Sequence, residues 1–303
     1  MLLELVRYRK WWYAISLLLI IPGLISLSVY GLKLGIDFTG GSLMEVTTPT
    51  KVETQQLRSA IGNEFGEPVI QTSGDKDYQI RLRTLNPEEH NRVLAAVKNS
   101  AGQDVVEKRF ETVGPSISED ITRKAILAVV IGAVLIMLYI AYAFREVPKP
   151  ASSWRFGITT IVTLIHDTIF LLGVFSLLGH FGGVEVDANF VAAVLTVIGF
   201  SVHDTIVVFD RIRENLLKGQ GATFEDTVNY SIVQTFVRSV NTSVTVMLVL
   251  ASMYFFGGES IRHFILALLL GIAIGTYSSI FNAAPLLVTW QQFTDKRAVK
   301  PRS

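Results

Sequence analysis

The stretch ANFVAAVLTVIGFSVHDTIVVFDRIREN, residues 188–215, decides the fold of this chain. Its first part is an apolar, helix-forming run over 189–209, which is about the 20 residues that a helix needs to cross a bilayer. The run holds two adjacent ionisable residues, His203 and Asp204, and a charged segment follows it. An acid is costly to insert at this depth, so an intramembrane Asp marks a functional site by default. The stretch therefore predicts a membrane-spanning helix built around Asp204.

The composition favours a membrane protein and excludes several functional classes. Half of the 303 residues are hydrophobic and 17% are charged, which is less charge than a soluble protein of this size carries. The net charge of +1 gives no electrostatic footprint for nucleic acid, so no nucleic-acid partner is predicted. The absence of cysteine removes disulfides, thiolate metal sites and a cysteine nucleophile. No hydrolase motif of the G-x-S-x-G type is present, and we predict no enzymatic activity. We also predict no cofactor and no metal site, since a metal would need residues of several helices to cluster.

Six apolar runs of membrane-spanning length recur along the chain. The first covers 11–30 behind a short basic start, and it lacks an A-x-A cleavage site, so an uncleaved signal-anchor is predicted. The fourth is the run described above. After it, the polar residues predict a hydrophilic loop over 210–235 with a short surface helix near 224–230. The other four runs lie at 125–144, 156–178, 238–256 and 264–290.

Residues 31–123 differ in kind from the spans, because they are mostly polar and alternate in hydrophobicity. Their order of strand, helix, strand, strand, helix and strand is that of the split βαβ, ferredoxin-like arrangement. The second helix is predicted to start at Asn86-Pro87 and to end near Gly102. Ahead of the domain, the glycines of GIDFTGG (35–41) predict a tight turn, since their spacing fits no phosphate-binding motif. The predicted strands are 43–48, 69–73, 78–83 and 105–113, and the first helix is 50–65.

The distribution of Lys and Arg predicts the orientation of the spans. The N-terminus, 145–155, 210–238 and the C-terminal tail are basic, whereas 179–187 has no Lys or Arg. These segments alternate along the chain, so both termini are predicted on the cytoplasmic side. The chain then divides into a cytoplasmic N-terminus with the first span (1–30), an extracytoplasmic α+β domain (31–123), spans two to six (124–292) and a basic cytoplasmic tail (293–303). The tail contains Lys296, Arg297, Lys300 and Arg302.

Polar residues inside the spans form two patterns. The tripeptide His-Asp-Thr occurs in the third span at 166–168 and in the fourth at 203–205. The fifth span opens with Arg238 and carries a polar stripe at helical spacing. Because a polar stripe inside a span faces protein or water rather than lipid, we hypothesise that it faces Asp204. The stripe consists of Arg238, Asn241, Thr242 and Thr245.

The chemistry of this arrangement follows from two opposing effects on one carboxyl group. Burial favours the neutral acid, and a nearby guanidinium favours the carboxylate. Because Arg238 stays charged at any relevant pH, its approach to Asp204 or its retreat would make the acid release or take up a proton. The pattern therefore predicts proton coupling by Asp204, Arg238 and Asp167. The supporting polar residues are His203, Thr205, Asn241, Thr242 and His166.

Structural alternatives stay open for each of these residues. Arg238 would also be explained by snorkelling to the lipid headgroups, and Asp167 by hydrogen bonds to a neighbouring span. His166 and His203 would also fit packing or hydrogen-bonding roles. The oxygens of Thr205, Asn241 and Thr242 beside a carboxylate would suit Na⁺ as the coupling ion in place of a proton.

Four motifs resemble those of SecF, a subunit of the bacterial Sec protein-export machinery in the RND superfamily. The longest is VIGFSVHDTIVVFDRIREN (197–215) in and after the fourth span. GIDFTGG (35–41) follows the first span, VGPSIS (113–118) precedes the second, and RSVNTSVTV (238–246) opens the fifth. The resemblance covers nearly the whole chain. It implies half of an RND-type unit, with six transmembrane helices and one extracytoplasmic ferredoxin-like domain between the first two.

The resemblance also implies an assembly and a mechanism. SecF proteins form a heterodimer with SecD, and this unit works with the SecYEG channel and accessory subunits in the cell inner membrane. The SecD–SecF unit uses the proton-motive force to pull unfolded preprotein outward across the membrane, whose lipid surrounds the unit. By motif, the family's proton-coupling acid and arginine fall on Asp204 and Arg238, and Asp167 is the acid of the third-span motif. Two other functions stay open: half of an RND-type small-molecule or lipid exporter, or an assembly subunit without transport activity.

Overall fold

A computed structural model describes residues 4–72, 75–148 and 151–299 of the chain. These residues form two compact units. The helical unit contains the described residues of 4–32, 127–184 and 189–299, and its first helix is α1 (Arg9–Tyr30). The α/β unit contains residues 33–126 together with the short segment 185–188.

The α/β unit has a four-stranded antiparallel sheet in the order β2-β3-β1-β4. This order, with a helix after β1 and another after β3, is the split βαβ arrangement. The predicted ferredoxin-like fold is therefore confirmed. Its elements are α2 (Ile36–Thr39), β1 (Gly41–Thr47), α3 (Thr54–Phe65), β2 (Val69–Thr72), β3 (Asp77–Leu82), α4 (Pro87–Ala101) and β4 (Val106–Val113).

One apolar core holds the α/β unit together. Alternate residues of β1 and β3 are buried, as period-two side-chain direction requires of a sheet covered on one face. Tyr78 in this core keeps its hydroxyl satisfied, because it donates to the carbonyl oxygen of Val52 and accepts from the Val52 N–H. The helices bury Leu57, Ile61, Val93 and Val97 against the strand residues Met44, Val46 and Ile80.

Helix α4 begins and ends where the sequence predicts. Asn86 accepts a hydrogen bond from the Glu89 N–H, and the Glu89 carboxylate accepts one from the Asn86 N–H, which forms a capping box. Pro87 occupies the first helical position, where its missing N–H costs nothing. The helix ends at Gly102, whose φ of 111° is a backbone conformation that glycine adopts readily and other residues rarely do.

The described residues contain six helices that are long and apolar enough to cross a membrane, and most of their residues belong to the helical unit. The sixth is a nearly continuous span from Ser260 to Asp295 that includes a five-residue π-helix. Together with the small α/β sheet, these helices confirm the predicted class of a six-span α-helical membrane protein. After α1 the long elements are α5 (Pro115–Ala143), α6 (Ser153–Gly182), α7 (Ala188–Leu217), α8 (Phe224–Phe256), α9 (Glu259–Ser278), the π-helix (Ser279–Ala283) and α10 (Ala284–Val299).

The predicted loop over 210–235 is wrong. Helix α7 continues through this segment to Leu217, and α8 starts at Phe224 behind a capping box formed by Thr223 and Asp226. Ion pairs at helical spacing stabilise the polar end of α7, including Arg211–Glu214 at 2.5 Å. The sequence becomes polar after Phe209 although the helix continues, so this change in composition does not mark the end of the helix. The predicted surface helix near 224–230 is the first two turns of α8.

The predicted basic tail is partly helical. Helix α10 continues to Val299, so Lys296 and Arg297 belong to it, while Lys300 and Arg302 lie outside the described residues.

Helices α1 and α6 cross at a pair of glycines. A Cβ added to Gly23 would lie 2.8 Å from the Gly173 Cα, and one added to Gly173 would lie 2.6 Å from the Gly23 Cα. Such close backbone approach needs small residues, as is common between membrane helices. One turn away, the hydroxyl oxygens of Ser26 and Ser176 are hydrogen-bonded at 2.8 Å.

Candidate functional site: two buried carboxyl groups

Two glycines in α9 set the distance between that helix and α7. A Cβ on Gly271 would lie 2.1 Å from Val197 Cγ2, and a Cβ on Gly275 would lie 3.0 Å from Ser201 Cβ. This small-residue spacing of four lets the helices pack closely. The polar residues that follow Gly275 are thereby placed beside the acids of the third and fourth spans.

Asp204 on α7 is buried, with 2% of its surface exposed. Its Oδ2 atom accepts hydrogen bonds from Ser243 Oγ at 3.4 Å and Thr276 Oγ1 at 3.3 Å. These two hydroxyl oxygens are 2.6 Å apart, so they form one linked pair from α8 and α9. The nearest ring nitrogen of His203 is 3.8 Å from Asp204 Oδ1, and the His203 side chain is exposed. Asp204 therefore rests on neutral hydroxyl groups at rather long distances.

Asp167 on α6 is equally buried but more tightly held. Its Oδ2 atom accepts from Ser201 Oγ at 2.6 Å and from Ser278 Oγ at 2.8 Å. Its Oδ1 atom is 2.9 Å from Nδ1 of His166. Three short hydrogen bonds from three different helices therefore fix this carboxyl group.

His166 connects Asp167 to Asn282. Its Nε2 atom is 3.3 Å from the amide nitrogen of Asn282, and its Nδ1 atom is 2.9 Å from Asp167 Oδ1. An Nε2 that accepts from this amide places the ring proton on Nδ1, facing Asp167. Asn282 also donates to Ser16 Oγ of α1 at 2.8 Å. A polar chain thus runs from the first span through the π-helix to Asp167.

The π-helix connects the surroundings of the two acids. Its preceding residue Ser278 bonds Asp167, while the adjacent Ser279 bonds Thr205 Oγ1 at 2.9 Å. Thr205 and Ser279 both donate to the Ser201 carbonyl oxygen at 3.0 Å. Single-turn π-helices recur at functional sites because they turn neighbouring side chains to unusual directions. Here the turn brings Ser278 to Asp167 and the next serine to Thr205, the neighbour of Asp204 in the chain.

Arg238 lies apart from both acids. Its side chain is exposed, and no carboxylate of the described residues is within ion-pair distance of it. It lines a cleft of about 680 Å³ between α5, α7 and α8. The charged residues of α7 in the same cleft are Asp210, Arg211, Arg213 and Glu214.

The hypothesis that the polar stripe of the fifth span faces Asp204 is wrong for this structure. Arg238, Asn241, Thr242 and Thr245 are all exposed, and the next face of α8 is buried through Ser239 and Ser243. Adjacent residues of a helix point about 100° apart, and Ser243 rather than Thr242 reaches Asp204. The sequence defines the stripe but not the rotation of α8 about its axis.

The sequence did not reveal the hydroxyl groups that surround the acids. Serine and threonine in helices often bond their own backbone, as Ser243 does with Ser239, so they give little signal alone. A local signal did exist in the sixth span, where Thr276, Ser278, Ser279 and Asn282 cluster within an apolar run. In the described part of the chain, no group of three or more His, Cys, Asp or Glu residues is placed to hold a metal ion.

The fold and the site define a multi-pass membrane protein of the RND type, as comparison with solved structures shows. The crystal structure of SecDF from Thermus thermophilus, a translocon-associated membrane protein, matches with a TM-score of 0.84 and 33% identity over 96% of this chain. SecDF in the "Super-membrane-facing form" matches with a TM-score of 0.69 and 32% identity over 98% of this chain. The chain spans 39% and 40% of those two longer chains.

Sequence comparison identifies the family. The model described as "Protein export membrane protein SecD/SecF, C-terminal" matches residues 93–293, and the SecD/SecF GG motif matches residues 25–48. A protein translocase subunit SecF from Thermobaculum terrenum is 45% identical, over 96% of this chain and 94% of that protein. Another from Anaerolinea thermophila is 40% identical over the full length of both. The chain belongs to the SecF family of protein translocase subunits, which confirms the resemblance found in the motifs.

Proposed function

We propose that this chain is the SecF half of a proton-driven SecD–SecF unit that promotes the outward movement of unfolded preproteins through the SecYEG channel. Asp204 is the group that takes up and releases the proton, and Arg238 is the charge that switches it. One observation carries the proposal: the carboxyl group of Asp204 is buried in a membrane span against hydroxyl groups. Among the described residues, no Lys or Arg contacts it.

The surroundings of Asp204 suit a group that changes its charge. A carboxylate buried without a cation is unfavourable, so the arrangement favours the neutral acid. Hydroxyl groups can donate to a carboxylate and also accept from a carboxylic acid. Ser243 and Thr276 therefore supply partners for Asp204 in both protonation states, which permits proton exchange without leaving a buried polar group unpaired.

Arg238 is close enough to act through a modest movement of α8. It precedes Ser243 by five residues, which corresponds to about 7.5 Å along a helix axis. Membrane and interface helices can shift past each other by one turn, about 5.4 Å. Such a shift, added to the length of the flexible side chain, would bring the guanidinium from the cleft to Asp204. Its arrival would favour the carboxylate and release the proton.

Asp167 is proposed as a second proton-coupling acid with a supporting role. Its short bonds to Ser201 and Ser278 restrict it more than Asp204 is restricted. It is linked to the Asp204 side of the site through Thr205 and Ser279. A change at one acid would therefore alter the hydrogen bonds available at the other.

A proton suits the site better than Na⁺. A sodium site would gather several oxygens around one point. Instead Thr205 bonds Ser279, while Asn241 and Thr242 are exposed on α8. The oxygens that the sequence offered for a cation are thus dispersed, and the hydroxyl pair at Asp204 is already self-bonded.

The exposed polar stripe of α8 supports a membrane partner. Arg238 and Asn241 lie on the surface of this chain within or at the edge of a span, where lipid would leave their polar groups unsatisfied. The solved SecDF chains that this fold matches are more than twice as long. We infer that SecD covers this stripe. The Lys and Arg distribution supports both termini on the cytoplasmic side of the inner membrane, with the α/β unit outside.

Reconstitution tests the proposal. The chain is incorporated into liposomes with SecD and SecYEG, and proton flux and preprotein release are measured for the parent, Asp204→Asn and the exposed-acid control Asp120→Asn. We expect Asp204→Asn to abolish both readouts with the complex intact, and the control to keep both. Unchanged release in Asp204→Asn would leave only an assembly role. Efflux of a small molecule or lipid without an effect on release would indicate an exporter half.

A further inference from the structure

A short segment between α6 and α7 folds as part of the α/β unit. Residues 185–188 are grouped with that unit, and Val186 pairs with Leu34 in a parallel β-bridge. Two backbone hydrogen bonds of 2.8 Å close the bridge, from Val186 N to Lys33 O and from Gly35 N to Val186 O. Gly35 permits this approach, because an added Cβ would lie 3.1 Å from the Val186 oxygen. The segment is therefore tied by its backbone to the first residues of the GIDFTGG motif.

Charged side chains hold the same segment to the sheet. The carboxylate of Glu185 forms an ion pair with Arg81 of β3, and its Oε1 atom lies 3.8 Å from Lys33 Nζ. Gln71 of β2 donates to the same oxygen at 3.4 Å. The Glu185 and Arg81 side chains are about four-fifths buried, so this pair is shielded from the solvent that weakens surface ion pairs. Burial lowers the pKa of Arg81, and burial together with the nearby Arg81 charge lowers the pKa of Lys33.

Asp37, in the middle of the motif, contacts the first residue of α7. Its Oδ2 atom accepts a hydrogen bond of 2.8 Å from the Ala188 N–H. The first N–H groups of a helix have no partner inside the helix, and a carboxylate there is favourable for the helix dipole as well. Helix α7 continues without interruption from Ala188 to Leu217 and carries Asp204 about 24 Å along its axis.

We propose that Asp37 and Glu185 form a rigid joint that holds residues 185–188, and with them the first residue of α7, in the α/β unit. The proposal rests on the proposed function of Asp204. Asp37 is a positioning residue, since it acts through α7 and not on the proton itself. The joint gives the Asp of the GIDFTGG motif a role that its turn geometry alone does not explain. Because α7 is one uninterrupted helix from Ala188 to Leu217, the joint fixes where the helix that carries Asp204 begins.

Hydrogen exchange tests the joint without reference to export. In the full-length chain with its SecD partner, the peptide covering 184–190 is followed for the parent, Asp37→Ala, Asp37→Asn and the exposed control Asp104→Ala. Loss of a capping acceptor predicts about fivefold faster exchange at this peptide in Asp37→Ala. Asp37→Asn keeps an acceptor oxygen and is expected to keep most of the protection. Equal exchange in Asp37→Ala and the parent would overturn the joint.

Export of a secreted reporter tests what the joint does. We expect Asp37→Ala to lose most of its export with the complex assembled, and Asp37→Asn to retain it. Asp204→Asn is measured in parallel. If Asp204→Asn stops export and Asp37→Ala does not, the joint has no role in export. The inference then fails, while the proposed function stands. If Asp204→Asn exports normally, the proposed function fails, and the positioning role of Asp37 in export fails with it.

A reversible crosslink tests whether the bridge between Leu34 and Val186 stays closed during export or has to open. The chain has no cysteine, so Leu34→Cys with Val186→Cys introduces a single pair. Residues paired across a β-bridge lie about 4.8 Å apart, within the roughly 4.4–6.8 Å between Cα atoms that a disulfide spans. The oxidised and reduced forms carry the same substitutions, so their difference reports the crosslink alone. We expect equal export from both forms, and arrest on oxidation with recovery on reduction would overturn rigidity.

Discussion

At the scale of the residue, two copies of one tripeptide give two different carboxyl groups. Asp167 accepts from Ser201 and Ser278 at 2.6 and 2.8 Å, whereas Asp204 has hydroxyl partners at 3.4 and 3.3 Å. His166 bonds its neighbouring acid, but His203 is exposed and lies 3.8 Å from Asp204. The difference arises from the helices that pack on each copy and not from the tripeptide. It leaves Asp204 as the less restrained acid.

The bond from Ser201 to Asp167 is expected to contribute measurably to stability. Ser201→Ala leaves a buried carboxyl oxygen with one partner fewer, which costs about 1–3 kcal/mol. Thermal unfolding of the purified protein in detergent checks this loss. The control is Ser252→Ala, which removes an exposed hydroxyl that bonds its own helix. Equal unfolding temperatures for Ser201→Ala and the control would contradict the assignment of this hydrogen bond.

Glu89 is expected to make α4 sensitive to acid. Its hydrogen bonds with Arg83 and then with the Asn86 N–H lower the pKa of Glu89 from 4.5 to about 2. A lowered folded-state pKa stabilises the fold above the unfolded value, and this contribution is lost as the pH falls through the folded value. The protection factors of the α4 amides, which correct the measured exchange rates for the pH dependence of intrinsic exchange, should therefore fall in the parent as the pH falls from about 4.5 to about 2.

The matched variant is Glu89→Gln, which removes the titrating group but keeps an acceptor oxygen for the cap. Its α4 should be less protected than the parent near neutral pH and equally protected at the acid end. A parent and variant with the same pH profile would show that Glu89 does not carry the effect.

At the scale of the element, the sequence predicts which helices exist better than where they end. The strand pattern, the Asn86 cap and the Gly102 stop placed the α/β elements within a few residues. The boundary after Phe209 failed, because polarity marks the membrane surface while ion pairs such as Arg211–Glu214 continue the helix. The π-helix was not predicted either, since nothing in the composition of 279–283 differs from an ordinary helical segment.

The candidate site was predictable only in part for a similar reason. An acid in an apolar run is visible from the sequence, so Asp204 and Asp167 were identified. Their partners Ser243, Thr276 and Ser278 come from other helices, and spacing along one helix does not fix its rotation against another. The glycines of α9 that set this packing are visible in the sequence as G-x-x-x-G at 271–275, but the helix on which they pack, α7, is not.

The crossing of α1 and α6 provides an element-scale prediction. Gly173→Ala places a Cβ within 2.6 Å of the Gly23 Cα, so the two backbones must separate. Overpacking of this kind costs about 1–3 kcal/mol. Gly157→Ala is the matched control, because it makes the same change on the same helix where an added Cβ meets nothing within 4 Å.

Thermal unfolding should show a loss for Gly173→Ala and none for Gly157→Ala, which removes a flexible helical glycine. A Gly173→Ala protein as stable as its control would contradict the close crossing.

At the scale of the whole molecule, the proposed topology can be tested by labelling. Because the chain has no cysteine, a single introduced thiol reports its own side of the membrane. Gln103→Cys lies in an exposed turn of the α/β unit, and Gln220→Cys lies in the exposed link between α7 and α8. We expect an impermeant thiol reagent added to intact spheroplasts to label Gln103→Cys and to reach Gln220→Cys only after lysis. The reverse pattern would invert the orientation, and labelling of both would exclude an odd number of spans between them.

The proposed function depends on one buried carboxyl group of the helical unit, Asp204, that changes its charge. Ser243 and Thr276 give Asp204 hydrogen-bond partners in either protonation state, and the cleft holds the guanidinium that we propose selects between them. Asp37 accepts a hydrogen bond from the first residue of the same helix. Each part has its own variant, so the failure of one does not obscure the others.

The most direct measurement is the infrared absorption of the Asp204 carboxyl group in the SecD–SecF complex in lipid. A neutral acid and a carboxylate absorb at separate frequencies, and subtraction of the Asp204→Asn spectrum isolates this residue from Asp167. We predict a neutral-acid band for Asp204 at neutral pH whose amplitude increases in Arg238→Gln, because the charge that favours the carboxylate has been removed. A spectrum without that band, or one unchanged by Arg238→Gln, would contradict the central claim.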